Sequence, residues 1–161
     1  MSRERHYWDS DVFLGWLQAE ADKQEACRGV LEEAKAGNIL IVTSALTIAE
    51  VLAMRGRLKI GPEKRLAVEQ FFRHEYIAVQ NLTRRLAEAA REVVWDHGVA
   101  PKDAIHVATA AAANVDAMNT FDVDLIKKSG LVGSPALVIC KPFVRAPRLD
   151  LKPPPTGEYD A

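Results

Sequence analysis

The sequence is short of cysteine, of long apolar runs and of any excess of charge, and each shortage removes a class of protein. Two cysteines in 161 residues cannot build a disulfide framework. Cys27 and Cys140 lie far apart among apolar neighbours, the setting of buried free thiols rather than of a disulfide or a metal site. No apolar stretch reaches the roughly 20 residues that span a bilayer. The polar opening Met1-Ser2-Arg3-Glu4-Arg5-His6 is unlike a secretory signal, so the chain reads as cytoplasmic, with no membrane partner. Basic residues number 21 and acidic residues 22, a formal charge of −1. No bulk positive field draws the chain to nucleic acid or lipid, although a local basic patch stays open. What is present is 48% hydrophobic and 27% charged residues, the balance of a folded domain long enough to bury one sizeable core.

Along the chain, short β-like runs alternate with longer helical ones. Strands are expected at residues 6–8, 39–42, 76–79, 117–120 and 136–139. Helices are expected from about Asp11, over 21–36, from an N-capping Ser44 through Arg55, from Pro62 to about Arg73, over 83–97, from Pro101 to about Ala113, and briefly from Asp122. Gly37 and Gly98 stand where helices should stop. Ile39-Leu40-Ile41-Val42 shows no polar alternation, as expected of a strand covered on both faces. Strands alternating with helices imply right-handed crossovers and a parallel sheet of about five strands with helices on both sides, an α/β architecture. Residues 1–147 are expected to form this domain. Residues 148–161, with Pro153-Pro154-Pro155 and almost no apolar side chains, read as a mobile tail.

Ligands of open parallel sheets bind beyond the carboxyl ends of the strands. Asp9 follows the first expected strand and Asp122 the fourth, while Thr43 and Ser44 end the second. Glu50 lies on the helix leaving the second strand, and Asp103 falls in the first turn of the helix begun by Pro101. Each aspartate also has a purely structural reading, as a helix cap or a complement to a helix dipole. Glu50 is harder to explain that way, because Leu46-Thr47-Ile48-Ala49-Glu50-Val51-Leu52 is too apolar for a routine solvent-facing carboxylate, and a buried one needs a partner or a proton. Carboxylates ~5 Å apart repel by about 3 kcal/mol at an effective dielectric near 20. Gathering four of them makes sense if a cation neutralises them. All-oxygen donors suit Mg²⁺ or Mn²⁺ and metal-dependent cleavage of a phosphate ester.

Four segments, in order, resemble the motifs of PIN-domain nucleases. Tyr7-Trp8-Asp9-Ser10-Asp11-Val12-Phe13-Leu14 looks like the opening strand ending in aspartate. Thr43-Ser44-Ala45-Leu46-Thr47-Ile48-Ala49-Glu50-Val51 is similar to the second motif, with its hydroxyl and embedded Glu. Asp103-Ala104-Ile105-His106-Val107-Ala108-Thr109-Ala110 is similar to the third, and Asn119-Thr120-Phe121-Asp122-Val123-Asp124-Leu125 to the fourth. The resemblance implies a Rossmann-like three-layer α/β/α sandwich and Mg²⁺- or Mn²⁺-dependent ribonuclease chemistry. For a compact chain it implies a VapC-type toxin with a cognate antitoxin, acting on RNA and forming a homodimer. By the same resemblance Asp9, Glu50, Asp103 and Asp122 form the acidic site, Asp9, Asp103 and Asp122 hold the metal, and Ser44, Thr120 and Asp124 support it. Where the family often has Asn or Ser this chain has Asp11, a fifth carboxylate that either adds a ligand or caps the first helix, the second being preferred.

Several features stay open on sequence alone. His106, three residues after Asp103, faces the same side of its helix and reads as a packed or hydrogen-bonded histidine before a ligand. Arg55, Arg57, Lys59, Lys64 and Arg65, and the smaller pair Arg84 and Arg85, read equally as an RNA-backbone surface or a solvated connection. Trp8, Trp16 and Trp95 are expected in the core or a subunit interface. Two rival functions remain. Asp9-Ser10-Asp11 is also similar to the nucleophile motif of haloacid-dehalogenase-like phosphatases, with Thr43 or Ser44 and Lys102 as its phosphate-binding groups. The other rival is a PIN-like scaffold that binds RNA or protein without cutting.

Overall fold

The computed structural model describes residues 2–53 and 56–145. Strands β1 (Glu4–Trp8), β2 (Ile39–Ser44), β3 (Ile77–Gln80), β4 (Ala117–Asn119) and β5 (Ile139–Cys140) form one all-parallel sheet in the order β3-β2-β1-β4-β5. Helices α1 (Ser10–Leu17), α2 (Ala21–Lys35), α3 (Ala45–Glu50), α4 (Arg65–Phe71), α5 (Arg84–His97), α6 (Pro101–Ala112) and α7 (Val123–Ile126) connect the strands, with a 3₁₀ turn at Pro62–Lys64 before α4.

Register explains the missing alternation. Tyr7 pairs with Val42 on one side and Met118 on the other, so these three side chains share a face of the sheet. They pack there with Val93 of α5, Val107 of α6 and Leu125 of α7. Their chain neighbours Trp8 and Ile41 point the opposite way, onto Val12 and Phe13 of α1, Val30 and Leu31 of α2, and Phe72. Both faces are therefore apolar and both are covered, which makes three layers. The aromatic centre of the second core is Phe13, 5.2 Å from Trp8 and 5.0 Å from Phe72 between ring centroids. Cys27 is a buried free thiol, as expected, whereas Cys140 is free but only partly buried. Among the described residues no helix is long and apolar enough to cross a membrane.

The helix starts follow the capping residues. Asp9, Ser44, Thr83 and Asp122 each accept a backbone N–H of the turn that follows. Gly98 ends α5 at φ +64° and its N–H donates to the Val94 carbonyl. A Cβ at Gly98 meets nothing within 4 Å, so only the left-handed backbone opposes one. Gly98→Ala is therefore expected to cost about 1 kcal/mol in urea denaturation.

Two of the differences from the sequence expectation have a cause in the backbone hydrogen bonds. Helix α3 ends at Glu50 and does not run on toward Arg55. Ala53 N–H closes a tighter turn onto the Glu50 carbonyl, and Ile60 N–H takes the Leu52 carbonyl that another helical turn would need. Arg55 itself, and the boundary expected near residue 147 with the tail beyond it, lie outside the described residues. The last strand begins at Ile139 rather than Ala136. Leu137 is held in a turn, donating to the Val132 carbonyl at 2.7 Å and accepting from Gly130 N–H at 2.9 Å, so the ladder starts only where Met118 N–H reaches the Val138 carbonyl.

Candidate active site

The chain steps outward from β1 through β2 to β3, then returns across the sheet to β4 on the other side of β1. Such a reversal opens a crevice at the carboxyl ends of the strands flanking it. Asp9, Ser10, Asp11, Glu50, Asp103, His106 and Asp122 line a cavity of about 280 Å³. All four expected acidic positions are thus brought together. A larger cavity of about 600 Å³ is walled mainly by apolar side chains, among them Ile48, Leu52, Ile60, Val68 and Phe72, with Arg65, Glu69 and Arg73 also lining it, and holds none of the four expected acidic residues.

Asp9 is 5% exposed and doubles as the α1 cap, its Oδ1 accepting Val12 N–H at 3.1 Å. Burial pushes its carboxyl up to about 6, against the pull of His106 and of the Thr120 hydroxyl, with Asp11 adding to the rise. Thr120 Oγ1 also accepts Asp122 N–H at 3.1 Å, so one buried hydroxyl ties two of the acidic residues. Asp122 in turn caps α7, its Oδ1 accepting Asp124 N–H at 2.9 Å. Asp103, half-buried in the first turn of α6, is raised by burial first and then by the Asp122 charge. His106 opposes this shift, while Glu50 and Asp11 add to it. Both upward shifts are the signature of carboxylates packed with too little countercharge.

Glu50 has the partner its apolar surroundings demand. Its side chain is 14% exposed and Oε1 lies 3.0 Å from His106 Nε2. His106 is buried, with Nδ1 2.6 Å from the Tyr7 hydroxyl and Nε2 3.3 Å from Ser10 Oγ. The hydrogen-bonded reading of His106 is therefore right, but the residue is more central than the sequence suggested. Its i+3 spacing from Asp103 was the available signal. Tyr7, one strand residue from a buried Trp, offered none.

Other expected positions fall elsewhere. Ser44 is fully buried and caps α3, its Oγ accepting Leu46 N–H at 3.1 Å, away from the cavity wall. Asp124 is almost fully solvated and lies 3.6 Å from Lys127. Asp11 does not cap the first helix, because Asp9 already occupies that role. It sits in the first turn and pairs with Lys23 at 3.0 Å and with Arg57, and the same two cations pair with Glu20 at 3.2 Å and 2.5 Å. Burial works against the Lys23 ammonium, yet hydrogen bonding and charge from Asp11 leave it raised overall. Gly15 makes room for this arrangement, since a Cβ there would stand 2.9 Å from Lys23 Cδ. Arg57 is thereby spent inside the protein, whereas Lys59, Lys64, Arg65, Arg84 and Arg85 are exposed. Trp8 is core and Trp16 packs against it, but Trp95 is 69% exposed with the Arg91 guanidinium 5.1 Å over its ring.

The phosphatase reading asks Asp11 to act as a free acid/base and Thr43 to bind phosphate. Asp11 is locked in ion pairs, and the Thr43 hydroxyl donates to the Trp8 carbonyl at 2.7 Å while bonding Thr47 at 2.7 Å. Neither group is available. As for a metal, among the described residues no group of three or more His, Cys, Asp or Glu side chains is arranged to hold an ion by itself. The donors facing the cavity are nevertheless all carboxylate oxygens apart from Ser10 and His106. Such a set fits a hard divalent cation that keeps several waters and takes one or two carboxylates directly.

The PIN domain family matches residues 7–131. No curated protein matches the chain. Among solved structures, VapC20 of Mycobacterium tuberculosis, a sarcin–ricin loop cleaving toxin, superposes with a TM-score of 0.60 at 17% identity, over 74% of this chain and 91% of that one. A toxin–antitoxin complex from Klebsiella pneumoniae gives 0.58 at 18% identity over 87% and 99%. VapBC2 from Rickettsia felis, bound to a DNA fragment from its promoter, gives 0.59 at 14% over 84% and 96%. At these identities the likeness is one of fold. With the family match running from within β1 to beyond α7, and taking in every acidic wall of the cavity, the chain belongs to the PIN domain family.

Proposed function

We propose that this chain is a divalent-metal-dependent endoribonuclease, the toxin of a VapBC-type toxin–antitoxin pair. The observation that carries the reading is the convergence of Asp9, Glu50, Asp103 and Asp122 on one cavity at the carboxyl ends of β1 and β4. The solved toxins and toxin–antitoxin complexes of the same fold support it. Asp9, Asp103 and Asp122 would hold Mg²⁺ or Mn²⁺, which when bound neutralises the carboxylates, polarises the phosphodiester and makes water a better nucleophile. The Thr120 hydroxyl bonds the Asp9 carboxyl and holds the backbone N–H of Asp122, and Glu50 presents an acceptor oxygen that can orient an attacking water. Burial of Asp9 keeps its charge out of bulk solvent, where it acts more strongly on a bound ion. By the same reading the substrate is RNA, the partner an antitoxin protein covering the acidic cleft, the toxin a homodimer and the compartment the cytoplasm.

The test is incubation of the purified chain with structured RNA, including a sarcin–ricin-type hairpin, in Mn²⁺ and then in excess chelator. Cleavage at internal positions that stops with chelator and returns on metal readdition is expected. Binding without cleavage in every metal would favour the non-catalytic scaffold.

A further inference from the structure

Beside the acidic cavity, the hydrogen bonds around His106 leave one self-consistent arrangement for a neutral imidazole. An ionised Glu50 can only accept hydrogen bonds, and its Oε1 lies 3.0 Å from His106 Nε2. That nitrogen must therefore carry a hydrogen. If the imidazole is neutral it has only that one N–H, and Nδ1 is an acceptor. The atom 2.6 Å from Nδ1 is the Tyr7 hydroxyl, which then has to be the donor. Ser10 Oγ, 3.3 Å from Nε2, becomes a second, longer acceptor of the same N–H. Every polar atom of the imidazole is satisfied, in a place where Tyr7 is fully buried and His106 2% exposed. The two rings also meet edge-on, with centroids 5.8 Å apart and an interplanar angle of 65°, which limits rotation of the imidazole.

We propose that Tyr7 and His106 form a one-way hydrogen-bond chain, Tyr7 O–H to His106 Nδ1 and His106 Nε2–H to Glu50 Oε1, that makes His106 the positioning residue for Glu50. The chain commits Oε1 and leaves Oε2 as the Glu50 oxygen for the cavity. It also accounts for residues that the acidic motif alone does not explain. Tyr7 comes from β1 and His106 from α6, and Glu50 closes α3, so the chain ties three separate elements together beside the crevice. Glu50 sits on the last residue of a six-residue helix, a frayed position that would not fix a long side chain without such a tie. This deepens the ribonuclease reading and rests on it for its kinetic arm.

The experiment is nitrogen-resolved NMR of the imidazoles in the full ¹⁵N-labelled chain at neutral pH, with His106 assigned by comparison with His106→Gln. The expected spectrum shows His106 protonated at Nε2 only, with an Nδ1 signal displaced by an accepted hydrogen bond. In Tyr7→Phe, which keeps the ring, that displacement should vanish. RNA-cleavage kcat should then fall about tenfold with KM within about twofold. His106→Gln keeps an amide donor toward Glu50 and should retain about a third of kcat, whereas His106→Ala should lose about a hundredfold. A hydrogen on Nδ1 in the wild type, whether in place of the Nε2 hydrogen or beside it, overturns the chain. So does a Tyr7→Phe variant with an unchanged Nδ1 signal and unchanged kcat. If the wild type shows the expected nitrogen pattern but cuts no RNA, the ribonuclease reading fails and the hydrogen-bond chain stands.

Discussion

Asp103→Asn is expected to lower RNA cleavage by about 10³-fold in kcat while leaving the fold intact, a loss of roughly 4 kcal/mol of transition-state stabilisation. Asn has the same shape and can occupy the same place in the first turn of α6. What it removes is a charge that the cavity raises in energy, since burial and the neighbouring Asp122 both push the Asp103 carboxyl upward. The same substitution should therefore stabilise the metal-free protein, because a repulsive partner of Asp122 is gone. Activity and stability moving in opposite directions mark a residue kept for chemistry. Asp124→Asn is the matching control. Its side chain is almost fully solvated and lies 3.6 Å from Lys127, so kcat should stay within about twofold, as for ordinary surface changes. Equal losses at Asp103 and Asp124 would show that the cavity does not delimit the working carboxylates. Unaltered cleavage by Asp103→Asn would remove the proposed site.

How much of this was legible in the sequence depends on the range of the interaction involved. Local rules read well. Ser44, Thr83 and Pro101 announced helix starts that the backbone confirms, and Gly98 announced a stop. The unbroken apolar run of β2 announced a strand covered on both sides, and Ile41 and Val42 do enter opposite cores. What failed was decided by partners distant in the chain. The late start of β5 depends on Leu137 bonding back to Val132 and Gly130. The early end of α3 depends on Ile60 returning to Leu52. Trp95 sits on a helix whose apolar stripe suggested burial, yet the stripe that packs is Ala90 and Val93, and the indole points outward.

The acidic site divides along the same line. A Glu in an apolar segment implied a partner, and Asp9 and Asp122 after strands, with Glu50 and Asp103 on helices, matched motifs that implied a shared acidic site. Which partner Glu50 takes could not be read, because His106 is 56 residues away along the chain. Asp11 shows the converse. On motif grounds it looked like a cap or a fifth ligand, but Lys23 from α2 and Arg57 from the segment after α3 neutralise it. It lines the cavity with two cations beside it, yet its charge still adds to the rise at Asp9 and Asp103.

Asp9 supplies the second large effect, in stability against pH. Its carboxyl is raised from 3.8 to about 6, with burial as the main cause. The folded chain thus holds a proton there that the unfolded chain releases between about pH 4 and pH 6. The state that binds more protons is favoured by acid, so this group's contribution to stability is full below about pH 4 and is lost as pH rises through 6. Two pK units correspond to about 3 kcal/mol. Asp9→Asn removes the ionisation but keeps the helix cap, since Asn caps as well as Asp. The variant should therefore match the wild type in urea denaturation near pH 4 and exceed it by up to about 3 kcal/mol at pH 7.5. A divalent cation acts where the proton cannot. At pH 7.5, Mn²⁺ at a hundred times its dissociation constant should stabilise the wild type by about 2.7 kcal/mol, and that gain should fade below pH 6 as protons compete for the same oxygens. Asp9→Asn should lose most of the metal effect while remaining the more stable protein without metal. Parallel pH profiles for the two proteins would show that burial imposes no charge penalty at Asp9, and the case for a cation at the β1–β4 crevice would lose its electrostatic basis.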